Sequence, residues 1–320
     1  MKNVIFMGTP DFAVGTLKAL LDSDYTVQAV FTQPDKPKGR GKAVSMTPVK
    51  ETALEAGIPV YQPVRIREPE NLEILKQYAP DVIVVVAFGQ IIPEEILTLP
   101  PYGCINVHAS LLPKYRGAAP IQWAVIRGEK ESGVTTMRMD AGLDTGDMIL
   151  KEAVPLAPDE TAGSLFEKLS ETGAGLLIRT LKELEAGTAV FEKQPAESPT
   201  PYAAMLKKDL GKIDWTQDAV SIERLIRGLN PWPSAYTFCH GKTLKIWSAQ
   251  AQEEPSEAGG ALPAPGTVVQ VTKDTCKIQT GSGLLSVREL QLEGKKRMAA
   301  DAFLRGFPIA CGEVLGGQKT

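Results

Sequence analysis

The sequence predicts an α/β protein in three parts: a Rossmann-like, doubly wound and mostly parallel sheet over residues 1–188, a linker over 189–206, and a small C-terminal β-barrel of the OB type over 207–320. Three observations carry that prediction. The first half alternates apolar strands with amphipathic helices, the pattern of parallel strands joined by crossover helices. A stretch with prolines and no period, TAVFEKQPAESPTPYAAML, separates the halves. The remainder offers short strand patterns divided by turn signals, as small barrels do. A chain of 320 residues also exceeds what one core comfortably supports.

In chain order, NVIFMG (3–8) reads as a strand and 11–21 as a helix with apolar residues at helical spacing. TVQAVFT (26–32) is the second strand. Thr47 and Pro48 then supply an N-cap and a first helical residue, with Gly57 as the stop. The run VIVVVAF (82–88) is apolar without alternation, as in a strand covered on both faces. CINVH (104–108) follows, and the two-residue period puts Asn106 and His108 on one face at its carboxyl end, where open α/β sheets bind ligands. A strand over 134–140, the loop AGLDTGDMIL and a long helix over 161–185 complete the first part. In the second part, SAYTFCH, KTLKIWSA, GTVVQV, CKIQT and GLLSVRELQL read as five strands, and 299–306 as a terminal helix. The low-complexity stretch QEEPSEAGGALPAPG (252–266) reads as a mobile surface loop.

Composition narrows the class. Fractions of 43% hydrophobic and 23% charged residues are those of a soluble globular protein, and no apolar run approaches the roughly 20 residues of a membrane span. MKNVIFMGTPDF enters a strand at once and lacks a leader pattern, so a cytoplasmic location is expected. Cys104, Cys239, Cys276 and Cys311 form no CxxC pair, which argues against structural zinc and a disulfide framework. From residue 207 onward, 15 Lys plus Arg face 12 Asp plus Glu, or +3; the totals of 35 and 38 leave 20 against 26, or −6, for the rest. Such an imbalance suits a polyanion held across two domains, and equally suits ordinary surface variation.

Motifs narrow it further. GTPDFAVG follows the first strand but is not GxGxxG, and Pro10 and Phe12 obstruct close approach of a pyrophosphate, so a nicotinamide or flavin cofactor is excluded. No Walker sequence is present. Asn106, His108 and Asp144 form a possible catalytic set, although Asp140 and Asp147 compete for the carboxylate's part. An imidazole can take a proton, a carboxylate can orient it, and an amide can donate to a developing oxyanion, which together serve acyl transfer to an amine. No serine or cysteine is paired with the histidine, favouring direct attack by the substrate's own nucleophile. Spacing alone leaves a second reading open, in which Asn106 and His108 only satisfy buried backbone groups.

NVHASLLPKYRGAAPIQWA together with MDAGLDTGD closely resembles the formyltransferase family that uses 10-formyltetrahydrofolate. The resemblance implies Asn106, His108 and Asp144 as catalytic residues, 10-formyltetrahydrofolate as co-substrate, and no metal. It implies a folate-binding loop at SLLP, Ser110, Leu111, Leu112 and Pro113. VAFGQIIP (86–93), with Phe88, Gly89, Gln90 and Ile91, and the loop from Asp140 should help surround the pterin. The likeness spans the chain in those members that formylate methionine carried on initiator tRNA, and RGLNPWPSAYTF is similar to their second-domain motif, with Ser234 where glycine is usual.

In the loop QPDKPKGRGKAV (33–44), Lys36, Lys38, Arg40 and Lys42 face only Asp35, which suits phosphates or an opened acceptor stem. The resemblance implies Arg40 as its main tRNA contact. Lys207, Lys208, Arg224, Lys242, Lys245 and residues 295–297 are candidates for phosphate contacts. Three rivals stay open: a formyltransferase for a sugar nucleotide or other small amine, a hydrolase releasing formate from the folate, and an RNA-binding module without catalysis. A monomer is expected.

Overall fold

The computed structural model describes residues 1–38, 43–252 and 262–317 of the chain. They divide into two compact units. One comprises 1–120, 131–155 and 166–203; the other comprises 121–130, 156–165 and the residues from 204 onward.

The first unit is built on a seven-stranded sheet. Its strands are β1 (Asn3–Gly8), β2 (Thr26–Phe31), β5 (Val60–Tyr61), β6 (Val82–Val86), β7 (Cys104–His108), β8 (Glu131–Arg138) and β9 (Met148–Pro155), while β3 (Lys36–Lys38) and β4 (Ala43–Ser45) form a separate hairpin. The sheet order is β5-β2-β1-β6-β7-β8-β9. Helices α1 (Asp11–Leu21), α2 (Pro48–Glu55), α3 (Pro69–Tyr78) and α4 (Glu94–Leu97) lie between the parallel strands, and α6 (Ala162–Ala186) follows β9. The apolar run of β6 is buried at all five positions, as its lack of alternation requires. The Thr47 hydroxyl accepts from the Lys50 N–H at 3.2 Å, so the cap expected before α2 is made.

Two corrections concern the sheet. The five strands from β5 to β7 are parallel, but β8 and β9 run antiparallel to their neighbours. The strand expected over 134–140 is β8, three residues earlier, and β9 was not expected. A parallel return needs a crossover that carries the chain back along the sheet. Between β7 and β8 the chain forms the seven-residue helix α5 (Pro120–Ile126). It re-enters the sheet at the end it left, with Thr135 opposite His108 and Arg138 opposite Ile105. The basic loop also differs from an open segment: β3 and β4 pair antiparallel, Lys36 opposite Ser45, and Arg40 and Lys42 lie outside the described residues.

The second unit holds α7 (Ala219–Gly228), β10 (Ala235–Cys239), β11 (Lys242–Gln252), β12 (Val268–Val271), β13 (Cys276–Gln279), β14 (Leu284–Leu292), β15 (Met298–Ala299) and α8 (Ala300–Gly306). The sheet is antiparallel, in the order β10-β11-β14-β13-β12, with β15 on β14. The expected strands are present, but not the expected closure. Among the described residues β10 and β12 do not pair, so no closed barrel forms. The edges are instead met by the C-terminal tail: the Glu313 carbonyl accepts from the Val268 N–H at 2.8 Å, and the Gly316 N–H donates to the Phe238 carbonyl at 2.9 Å. Trp215, Ile222, Ile226, Leu244, Ile278, Leu285 and Phe303 are among the buried residues of this unit's core. The loop expected over 252–266 falls largely outside the described residues.

Candidate active site

The site grows from the end of β7. Asn106 lies opposite Val85 of β6 and Met137 of β8, two residues before His108, and both polar side chains are buried. The turn after the strand is fastened to the sheet by Thr135. Its hydroxyl donates to the Ser110 carbonyl at 2.7 Å and accepts from the Leu112 N–H at 3.0 Å. Tyr115, at φ +56°, presents its carbonyl to His108 Nε2 at 3.0 Å. A carbonyl can only accept, so Nε2 carries a hydrogen and donates it.

The other ring nitrogen faces Asp144, with 3.7 Å from Nδ1 to Oδ1. The loop after β8 leaves beside the start of β7, where the Met139 N–H donates to the Cys104 carbonyl, and then doubles back. Gly146 permits this, because a Cβ there would sit 1.9 Å from the Arg138 carbonyl oxygen. Asp144 is at φ +55°, and its Oδ2 accepts from the Gly117 N–H at 2.9 Å. The other two aspartates are engaged elsewhere: Asp140 accepts from the Gly142 N–H and the Thr145 hydroxyl, and Asp147 pairs with Arg138 at 3.5 Å. Of the three, Asp144 alone is paired with the histidine. Burial first, and the nearby Asp144 charge second, hold the Tyr202 phenol above its ordinary pKa. No protein group among the described residues engages the Asn106 amide, which leaves a donor free at the carboxyl edge of the sheet.

The residues assigned to folate divide by exposure. Phe88 is buried in the core of the first unit, while Ile91 is 81% exposed. The Phe88 and Gly89 carbonyls both accept from Gln33 Nε2, and Gln90 clamps the 63–66 segment through the Ile66 N–H and the Pro63 carbonyl. Ser110 Oγ donates to the Lys114 carbonyl at 2.7 Å and Leu112 packs with Met137 and Met148, so these two hold the turn's shape. Leu111 and Pro113 instead line a cavity of about 260 Å³ with Tyr115 and Pro199. A larger cavity of about 680 Å³, lined by Leu97, Tyr102, Arg138, Met139, Asp140 and Phe191, includes Asp140 but none of the three catalytic candidates.

Of the basic candidates, Lys36 is exposed and donates to Gln33 at 2.8 Å, and Lys207, Lys208 and Lys242 are exposed. Lys38 belongs to β3. Arg224 is half-buried over Gly128, and Lys245 lies over the Trp247 ring at 5.5 Å. Sequence reasoning missed Trp247 itself, which Arg297 also covers at 4.9 Å, and the buried Arg116. It also missed the polar residues of the expected linker: the Thr200 hydroxyl accepts from the Tyr115 N–H, and the Ser198 hydroxyl donates to the Pro113 carbonyl. No periodicity marks them; only their polar types among prolines could have drawn notice.

The end of β7 thus gathers an amide and an imidazole, with a carboxylate brought up by the loop after β8. The formyl transferase family model matches residues 1–181 and the formyl transferase C-terminal domain model matches 205–308. The chain belongs to this family, in the branch of the methionyl-tRNA formyltransferases. It is 59% identical over 306 residues to the methionyl-tRNA formyltransferase of Agathobacter rectalis, covering 96% of this chain and 97% of the relative. It is 50% identical to that of Geobacter sulfurreducens, over 98% and 96% of the two chains. Among solved structures, an N-formyltransferase from Helicobacter canadensis in complex with folinic acid and dTDP-3-aminofucose shares the fold, with a TM-score of 0.64 and 20% identity over 93% and 100% of the chains.

Proposed function

We propose that the protein transfers the formyl group of 10-formyltetrahydrofolate to the free α-amino group of methionyl initiator tRNA, supplying formylmethionyl-tRNA for translation initiation. The near-full-length identity to enzymes of that name is the observation that carries the acceptor's identity. It favours initiator tRNA over a sugar nucleotide, whose formyltransferases share only the fold. The co-substrate supplies the formyl carbon and a nitrogen leaving group. The residues present fit it: a free amide donor at Asn106, and exposed apolar surface at Ile91 beside the sheet edge.

The chain's own work divides among three residues. Asn106 donates to the formyl oxygen as attack by the amine makes it negative, an interaction of a kind worth ~3 to 4 kcal/mol. His108 Nδ1 accepts the proton the amine sheds, and the proton returns to the departing folate nitrogen as its bond to the formyl carbon breaks. Asp144, 3.7 Å away, balances the transient imidazolium charge. Leu111, Pro113, Phe88 to Ile91 and Asp140 contribute to the folate site, with Ser110 and Leu112 shaping the turn.

The basic residues Lys36, Lys38, Arg40 and Lys42 of the sequence 33–44 engage the acceptor end. Lys207, Lys208, Arg224, Lys242 and Lys245 contact phosphates from the second unit, which we read as an OB-type barrel completed by the tail segment at 313–316. The enzyme acts as a monomer in the cytoplasm and uses no metal. The test mixes the protein with 10-formyltetrahydrofolate and methionyl initiator tRNA and follows formylmethionyl product, with His108→Ala as control. Formyl transfer to a nucleotide sugar instead, or formate release without an acceptor, would overturn the reading.

A further inference from the structure

The expected linker does more than connect. Arg116, buried after the turn that ends β7, spends its guanidinium on one short segment: Nε donates to Gln194 Oε1 at 2.9 Å, Nη2 to the Pro195 carbonyl at 2.7 Å, and Nη1 to the Ala196 carbonyl at 3.1 Å. On its other side, Gln194 Nε2 donates to the Asp144 carbonyl at 3.0 Å and to the Gly146 carbonyl at 2.7 Å. The orientation of this amide is dictated by its neighbours. An arginine only donates and a carbonyl only accepts, so Oε1 must face Arg116 and Nε2 must face the loop. Backbone pairing between Met148 and Glu192 fixes the segment two residues earlier.

We infer that Gln194, set by Arg116, is a positioning residue that holds the Asp144 loop so that its carboxylate faces His108 Nδ1. Asp144 sits at φ +55°, a conformation uncommon for L residues, though aspartate enters it more readily than most, and here several bonds fix it. Two of those constraints are the bonds from Gln194 to the Asp144 and Gly146 carbonyls, and a third is the Gly117 N–H on Oδ2. Gly117 directly follows Arg116, so one dipeptide acts on the aspartate from both sides: directly through its N–H, and through Gln194. Removing the donors frees the loop to carry the carboxylate away from the imidazole. Misplacement of a catalytic group by about 1 Å can cost as much as a hundredfold.

The inference rests on the assignment of Asp144 and His108 to catalysis, and the experiment separates the two. Gln194→Glu keeps an acceptor for Arg116 but has no donor for the loop carbonyls; Gln194→Met removes both. Each is measured for kcat, for KM toward both substrates and for thermal unfolding, in the wild-type and Asp144→Asn backgrounds. Both variants should lower kcat about ten- to a hundredfold with KM values within about twofold. In the Asp144→Asn background they should cost no more than about twofold, because the group they position is already lost. Wild-type kcat in Gln194→Glu, a lower Tm without a change in kcat, or an equal loss in both backgrounds would overturn the inference. Wild-type turnover in Asp144→Asn alone would instead remove the catalytic assignment beneath it.

Discussion

Asp144→Asn is the sharpest single test of the site, because it changes a charge while sparing the shape. The asparagine oxygen can still accept from the Gly117 N–H, which Asp144 Oδ2 now does at 2.9 Å, so the loop keeps that anchor. What disappears is the anion 3.7 Å from His108 Nδ1. Two unit charges about 4 Å apart attract by about 4 kcal/mol at an effective dielectric near 20, and both side chains are largely withdrawn from water. In the proposed mechanism the imidazolium forms as the amine sheds its proton, so the loss should fall on kcat. If between half and all of that attraction is realised, kcat falls by about 30- to 1,000-fold at 1.36 kcal/mol per decade. Single-turnover formylation with saturating folate and tRNA measures it, and thermal unfolding checks the fold. A loss smaller than about fivefold, or one confined to KM, would refute the argument that Asp144 stabilises a charged His108.

Asn106→Ala removes the free amide and should lower kcat by about 100-fold or more, consistent with ~3 to 4 kcal/mol for an oxyanion donor; rates compared at equal folded fraction check it. Thr237→Val leaves the buried Trp215 indole N–H, now 3.0 Å from the Thr237 hydroxyl, without an acceptor; urea unfolding should show a loss of about 1 to 3 kcal/mol. Asp81 is held below the usual carboxylate range by the Asn3 and Lys2 N–H groups, in that order. A lowered folded-state pKa stabilises at pH values above the unfolded pKa, and the effect is lost as pH falls through the folded one. Asp81→Asn should therefore flatten the acid limb of a stability-versus-pH curve while changing little about its basic side. Binding of initiator tRNA should weaken steeply as salt rises from low to moderate concentration, because each phosphate contact releases counterions; a flat dependence would count against the basic residues as contacts.

Elements with a local code were legible from the sequence. The helix Asp11–Leu21 and the strand Cys104–His108 begin and end where periodicity and turn residues put them, and the Thr47 cap forms as its sequence requires. The direction of β8 was not legible, because residues 109–130 are enough chain for a parallel crossover as well as for the antiparallel return, so the path and not the length decides it. Closure of the second sheet failed for a related reason. Strand patterns specify how many strands there are, but not that the tail at Glu313 and Gly316 meets the edges of β12 and β10.

The site divides in the same way. Asn106 and His108 share a strand, so two-residue alternation alone brings them to one face. Asp144 arrives by a loop reversal that Gly146 permits but does not announce, and choosing it over Asp140 and Asp147 needed the family resemblance. Gln194 is harder still: its partners Arg116 and Asp144 lie 78 and 50 residues away, and nothing near it in sequence implies either contact. A residue that acts on substrate must be of a type its chemistry dictates. One that positions another needs only to donate and accept along the right directions, and several side chains can do that. The proposed catalytic side chains were therefore readable as types before the fold was known, whereas the group inferred to aim one of them emerged only when the chain was folded.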